Sequence, residues 1–192
     1  LAVGASPVMA HCINEVEEMV SLAGALVLNI GTLDEKWVES MILAAKTANS
    51  KGIPVILDPV GAGATKLRTE MTRKIIHEAK ISVLRGNASE IFSLTSDEIK
   101  TRGVDSSISI TPSMIDIAKK IALEMNFIVA ISGRQDLITD GIKTFFVSNG
   151  RPIMTRVTGI GCGLTAVVAA FCAQSEGQLL LAATAAHAFY GL

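Results

Sequence analysis

The 192 residues carry 17 basic and 18 acidic side chains, a net charge of -1, and are 49% hydrophobic but only 4% aromatic. That balance excludes the basic footprint of a nucleic-acid binder or of a protein lying on anionic lipid, and leaves small molecules or other proteins as partners. Three cysteines, Cys12, Cys162 and Cys172, show no CxxC or Cys/His ligand spacing, so neither a disulfide framework nor a zinc site is suggested, and a reducing, cytoplasmic compartment is expected.

No apolar run approaches the ~20 residues of a membrane span, and the first residues lack the basic start and apolar stretch of a signal peptide. Asn14 and Glu17 have capping-box spacing, and Val16, Met19 and Val20 continue a helical stripe to about Leu22. Ala25 to Ile30, closed by Gly31, has the form of a strand buried on both faces. A helix is expected from Asp34 to Ser50, with Trp37, Met41, Ala44 and Ala48 at helical spacing and a stop at Gly52. Pro54 to Asp58 is the next buried strand, and a Gly-rich loop, Pro59 to Ala64, leads into a helix from about Thr65 to Ala79.

Ile81 to Leu84 is a third strand. Thr111-Pro112 opens a helix that runs through Ile115, Ala118 and Ala122 to a strand at Phe127 to Ile131. This alternation predicts an α/β fold with a mostly parallel sheet covered by helices, whose ligands sit outside the carboxyl ends of the strands. Beyond Gly133 the segments Leu137 to Thr139, Thr144 to Val147 and Ile153 to Val157 are short, and Asn149-Gly150 predicts a hairpin between the last two. The expectation is an antiparallel edge. Gly161 to Gln174 is apolar nearly all round and reads as a buried helix. The chain begins at a residue other than Met and stops at Leu192 within an Ala-rich helical pattern, so it reads as cut at both ends.

The chemistry concentrates in a few places. Thr158-Gly159-Ile160-Gly161-Cys162-Gly163 follows a predicted strand and opens the buried helix. Glycines there allow close approach of a ligand, and the free amides of Gly159, Gly161 and Cys162 at a helix amino terminus form a hole for a transferring phosphate. A tight turn without a ligand is the plainer alternative. Cys162 in the first turn is where a helix dipole lowers a thiol pKa, whereas Cys172 reads as a small buried hydrophobe. Asp58, Arg85 and Glu90 lie at adjacent strand ends, a carboxylate pair beside an arginine suited to a hydrated Mg²⁺ and phosphate oxygens. The structural alternative is that Glu90 caps a helix with Asn87 and that Arg85 pairs with Asp58. Ser132 ends the strand before Gly133, Met9 follows Ser6-Pro7-Val8, and His11, His77 and His187 share no ligand spacing and are left as structural.

Five ordered motifs, Ala5-Ser6-Pro7-Val8-Met9-Ala10, Leu28 to Leu33, Leu57-Asp58-Pro59-Val60-Gly61, Arg85 to Glu90 and Thr158 to Cys162, together resemble the hydroxyethylthiazole kinases of thiamine salvage. The resemblance covers essentially the whole chain. It implies a ribokinase-like three-layer α/β/α domain over 1–192, lacking an N-terminal segment and C-terminal helices, that phosphorylates the hydroxyl of 4-methyl-5-(2-hydroxyethyl)thiazole with MgATP. Carried over by motif, Met9 and Gly159 contact the thiazole, Arg85 and Ser132 bind ATP, and Asp58 and Glu90 serve the magnesium through water. Cys162 takes the place where ribokinase-like sugar kinases carry an aspartate base, and Ser132 stands where many relatives have threonine. The resemblance also implies a homotrimer with sites between subunits. The rival expectations are a kinase for another vitamin precursor, and a silent relative that binds a thiazole or nucleotide without turnover.

Overall fold

A computed structural model describes residues 1–95 and 110–191. Six strands, β1 (Leu26–Asn29), β2 (Val55–Asp58), β3 (Val83–Asn87), β4 (Ile128–Ser132), β5 (Asp136–Thr139) and β6 (Thr144–Val147), form one sheet in simple sequential order. The first four run parallel, and β5 and β6 add an antiparallel edge. Because the order never reverses, right-handed crossovers place every connecting helix on the same face. That face carries α1 (Val16–Ser21), α2 (Glu35–Ser50), α3 (Lys66–Glu78), α4 (Ala88–Phe92) and α5 (Pro112–Met125). The other face would be bare but for α6 (Ile160–Ala173) and α7 (Leu179–Tyr190), which pack on it as a pair.

This sandwich explains the uninterrupted apolar runs. All four residues of β2 are buried, with Leu57 turned to the first helical layer and Ile56 to the α6–α7 layer. Local signals match the elements they open: Asp34 Oδ1 accepts from the Trp37 amide, Thr65 Oγ1 from the Arg68 amide, and Thr111 caps α5 with Pro112 at its first position.

Two expectations are overturned. The Asn14–Glu17 capping box does not form: the amides of Glu15 and Val16 both donate to the Cys12 carbonyl, so Asn14 lies inside that turn and the helix starts at Val16 without a side-chain cap. Ile153 to Val157 is not a strand, and Asn149-Gly150 does not turn a hairpin. The segment Pro152–Arg156 is a 3₁₀ helix, begun by a proline that has no amide to give a sheet. The Asn149 side chain instead donates to the Ala188 carbonyl. The hairpin lies one connection earlier, at β5–β6, where Asp140 Oδ1 accepts from the amides of Ile142 and Lys143 and Gly141 takes φ +92°.

Candidate active site

Side chains alternate across a sheet, so residues two apart share a face. Ile56, Val83, Ala130 and Ile138 all point into the α6–α7 layer. Asp58, Arg85, Ser132 and Asp136, each two positions from one of these toward the carboxyl end of the parallel strands, therefore form a polar row on that same face. The register supports it: Asn29 pairs with Asp58 across β1–β2, and the pairing Leu57 with Leu84 sets Asp58 beside Arg85.

The row is buried and connected. Asp58 is 1% exposed and Arg85 6%. Asp58 Oδ2 accepts from Thr165 Oγ1 at 2.7 Å and from Asn29 Nδ2 at 3.2 Å, with Arg85 Nη1 at 3.9 Å. Arg85 Nη2 donates to Ser132 Oγ at 2.6 Å, and Nη1 reaches Thr165 Oγ1 at 3.5 Å. Burial raises the Asp58 pKa above its ordinary value; the Thr165 hydrogen bond and the Arg85 charge oppose that shift, and the charge of Glu90 adds to it. The Cys162 thiol is the weakest of the groups that hold Asp58 down. The ion pair is thus loose, and burial outweighs it.

Glu90 fills both structural roles open to it. Its Oε2 accepts from the Asn87 amide while Asn87 Oδ1 accepts from the Glu90 amide, completing a capping box at α4. Its Oε1 accepts from the Gly61 amide at 2.9 Å and so holds the Gly-rich loop beside Asp58. From the other side, Arg68 donates to the carbonyls of Gly31 and Val60 at 3.0 and 2.5 Å, clasping the loops after β1 and β2 together.

Over this row stands the amino terminus of α6. Gly159, at φ +82°, is its cap residue, and no side chain caps the first turn, where amides such as those of Gly161 and Cys162 have no intrahelical partner. Gly161 is required for closeness: a Cβ there would lie 2.9 Å from Arg85 Nη1. Cys162 is exposed in this turn, while Cys172 is buried deeper in α6 with its thiol pushed up to about 12. Tyr190 Oη donates to the Ile160 carbonyl and ties the end of α7 to this turn.

Among the candidate residues, the structure brings Asp58, Arg85, Ser132 and Cys162 together, sets Glu90 and its loop at their edge, and leaves Gly159 exposed above them. Met9 is not brought in; it is 94% exposed on the segment before α1. Thr165 was missed, although it lies one helical turn beyond Gly161, where the sheet-facing stripe of α6 offered a signal. A cavity of about 610 Å³ lies at the opposite end of the sheet, lined by residues such as Pro54, Ser82, Phe127 and Asn126 at the amino ends of the strands. It holds neither the polar row nor the α6 amino terminus, so the chemistry is assigned to the carboxyl end.

Among the described residues no three His, Cys, Asp or Glu side chains converge as a protein cage for a metal. Asp58 and Glu90 do fit a hydrated ion held at one remove, since each Glu90 oxygen is already engaged by an amide, and burial, with a smaller contribution from the Glu90 charge, raises the Asp58 pKa.

The α/β/α layers, with an uncapped helix amino terminus over a buried Asp–Arg pair, are ribokinase-like in fold, shared with a ribokinase-like superfamily protein from Enterococcus faecalis at a TM-score of 0.65 and 14% identity, over 93% of this chain and 58% of that one. Comparisons narrow the class. The family model for the hydroxyethylthiazole kinase family matches residues 1–192, and the chain belongs to that family. It is 57% identical over its whole length to the hydroxyethylthiazole kinase of Desulfotalea psychrophila, covering 70% of that protein, and 54% identical over 98% of its length to that of Thermoanaerobacter pseudethanolicus, covering 71%. The solved hydroxyethylthiazole kinase of Pyrococcus horikoshii superposes with a TM-score of 0.84 at 44% identity, over 96% of this chain and 68% of that one.

Proposed function

We propose that the protein transfers the γ-phosphoryl group of ATP to the side-chain hydroxyl of hydroxyethylthiazole, with the reaction centred on the α6 amino terminus above Asp58. The observation that carries this reading is the buried Asp58–Thr165–Arg85–Ser132 network lying under a helix start that no side chain caps. Phosphoryl transfer through a loose transition state needs positioning and charge neutralisation more than covalent chemistry. The amides of Gly161 and Cys162 offer donors to the transferring oxygens, and Arg85, already aligned by Ser132 and Thr165, offers positive charge to the ATP phosphates. Ser132 holds the nucleotide side of the site. Cys162 faces the substrate hydroxyl and assists its deprotonation. Asp58 and Glu90 would hold a hydrated Mg²⁺, which would supply charge neutralisation of the phosphates.

Gly159 and Met9 contact the thiazole. Met9 and its neighbour Val8 are 94% and 62% exposed on one chain, which supports completion of the pocket by a neighbouring copy in a homotrimer. Among the described residues no helix is long and apolar enough to cross a membrane. Coupled ADP release by the full-length protein tests the reading: ADP should form with ATP and Mg²⁺ only when hydroxyethylthiazole is present. Equal release without the thiazole, or release only with another vitamin-precursor alcohol, refutes it.

A further inference from the structure

His187 lies in the last turn of α7, is 1% exposed, and sits in the helical layer that packs on β4 and β5. Its Nδ1 is 2.8 Å from the Ala183 carbonyl, one turn back. A carbonyl only accepts, so Nδ1 carries the proton and the neutral ring presents Nε2 as a bare acceptor. That acceptor has no hydrogen-bond partner, and the other buried side-chain atom among the described residues without one is the Nε–H of Arg85, a donor. Unpaired buried polar groups cost free energy, and two such groups of opposite polarity, one on β3 and one on the helix packed over the neighbouring β4 and β5, are complementary. The charged groups whose fields reach His187 are Asp136 and Arg85, and both belong to the polar row. Asp136 in turn accepts from the Gly133 amide at 2.9 Å and so fixes the turn that follows Ser132.

We propose that His187 is a positioning residue for nucleotide binding: through one bridging water its Nε2 receives the Arg85 Nε–H, which fixes the guanidinium plane while Nη1 and Nη2 face Thr165 and Ser132. Water suits the role because it accepts from one group and donates to the other, and buried waters commonly join polar groups left without protein partners. A guanidinium anchored along three edges presents its charge in one orientation, whereas one held on two can rock. The inference rests on the reading of Arg85 as an ATP contact.

The test uses the full-length enzyme and separates the two ring nitrogens. His187→Asn keeps a donor near Ala183 but has nothing at the Nε2 position, while His187→Gln restores an acceptor there. His187→Asn should raise the KM for ATP by about 5–10-fold, the cost of one hydrogen bond, with the thiazole KM unchanged. His187→Gln should stay within about twofold of the parent, and His187→Asn should add nothing in an Arg85→Ala background. Equal effects of the Asn and Gln variants, or a full additional loss in the Arg85→Ala background, overturn the role of His187. An Arg85→Ala enzyme with parental ATP KM overturns the underlying reading instead. Imidazole ¹⁵N shifts of the parental enzyme give an answer independent of how the variants fold: neutral His187 with the proton on Nδ1 is expected, and a proton on Nε2 at neutral pH overturns the proposal.

Discussion

Replacing Thr165 by valine removes one hydroxyl from the centre of the polar row while keeping the shape of the side chain. Thr165 is fully buried and donates to Asp58 Oδ2 at 2.7 Å. A hydrogen bond to a charged group is worth about 1.5–3 kcal/mol. The valine methyl returns up to about 0.8 kcal/mol of burial, leaving a net loss of about 1–2 kcal/mol. For a chain of this size that lowers Tm by about 2–8 °C. The pH dependence is the sharper readout. Asp58 already titrates above its usual value of 3.8 because of burial, and the Thr165 bond is the largest influence opposing that shift, so Thr165→Val must raise the Asp58 pKa further. A carboxyl whose folded pKa is raised favours the folded state below the unfolded value and loses that advantage as pH rises through the folded one. The stability gap between parent and Thr165→Val should therefore widen from acid toward neutral pH, and the acid limb of kcat/KM should move to higher pH. Thr165→Ser, which keeps the hydroxyl, should leave that limb in place. Melting curves and pH–rate profiles of the three enzymes decide the matter; a Thr165→Val limb that coincides with the parent's would show that Asp58 ionisation does not depend on this bond.

Cys162→Ala should lower kcat by no more than about 10²-fold, the low end of general-base assistance, and Cys162→Asp should exceed the alanine variant; a folded aspartate variant no faster than alanine would make the residue a pocket wall. Glu90→Gln should cost about 1–3 kcal/mol in denaturant unfolding, because an amide can accept from only one of the Gly61 and Asn87 N–H groups and turns a donor toward the other, and it should also raise the Mg²⁺ requirement. Unchanged stability with a changed Mg²⁺ titration would assign Glu90 to the metal alone. Thiol labelling of the native protein near pH 8 should modify Cys12 and Cys162, with ATP and thiazole protecting Cys162, while Cys172, held at about 12, should react only after unfolding; native labelling of Cys172 would contradict its burial.

The strand–helix alternation was legible because every parallel strand here is covered on both faces, which forces uninterrupted apolar runs such as Val55–Asp58. Thr111 and the Asn87–Glu90 pair were legible as caps because capping is local, and the helix starts near Asp34 and Thr65 were legible without the caps themselves being named. The failures are cases where local signals compete. Asn149-Gly150 carries the letters of a hairpin turn, but Pro152 and the hydrogen bond from Asn149 to α7 commit that stretch elsewhere, and the information lies about forty residues away. Asp58, Arg85, Glu90 and Ser132 could be named from their places at strand ends. That Glu90 would spend its second oxygen on the Gly61 amide depends on how the loop after β2 meets α4, and although the stripe of α6 turns Thr165 toward the sheet, its bond to Asp58 depends on how that helix docks, which periodicity does not reveal.

The polar row also bears on why the site is built beneath the sheet's second layer. A loose, buried Asp–Arg pair is a poor source of stability, since desolvation of both charges offsets their attraction, and the upward shift of Asp58 shows burial prevailing. The return lies in geometry. Asp58, Arg85 and Ser132 each stand on a separate strand whose position is set by the packing of two helical layers, so on the proposed reading the charges offered to the phosphates would need little reorganisation when ATP binds. Gly161 fits the same logic: a side chain at that point would press on the guanidinium, and its absence lets the helix amides and the arginine converge on one small volume. On this argument Gly161→Ala should damage nucleotide use more than folding, because the added methyl displaces the flexible end of Arg85 rather than any backbone. An Arg85-dependent loss in ATP KM with a near-parental Tm is the expected result, and a collapse in Tm at parental ATP KM would show that Gly161 serves packing alone.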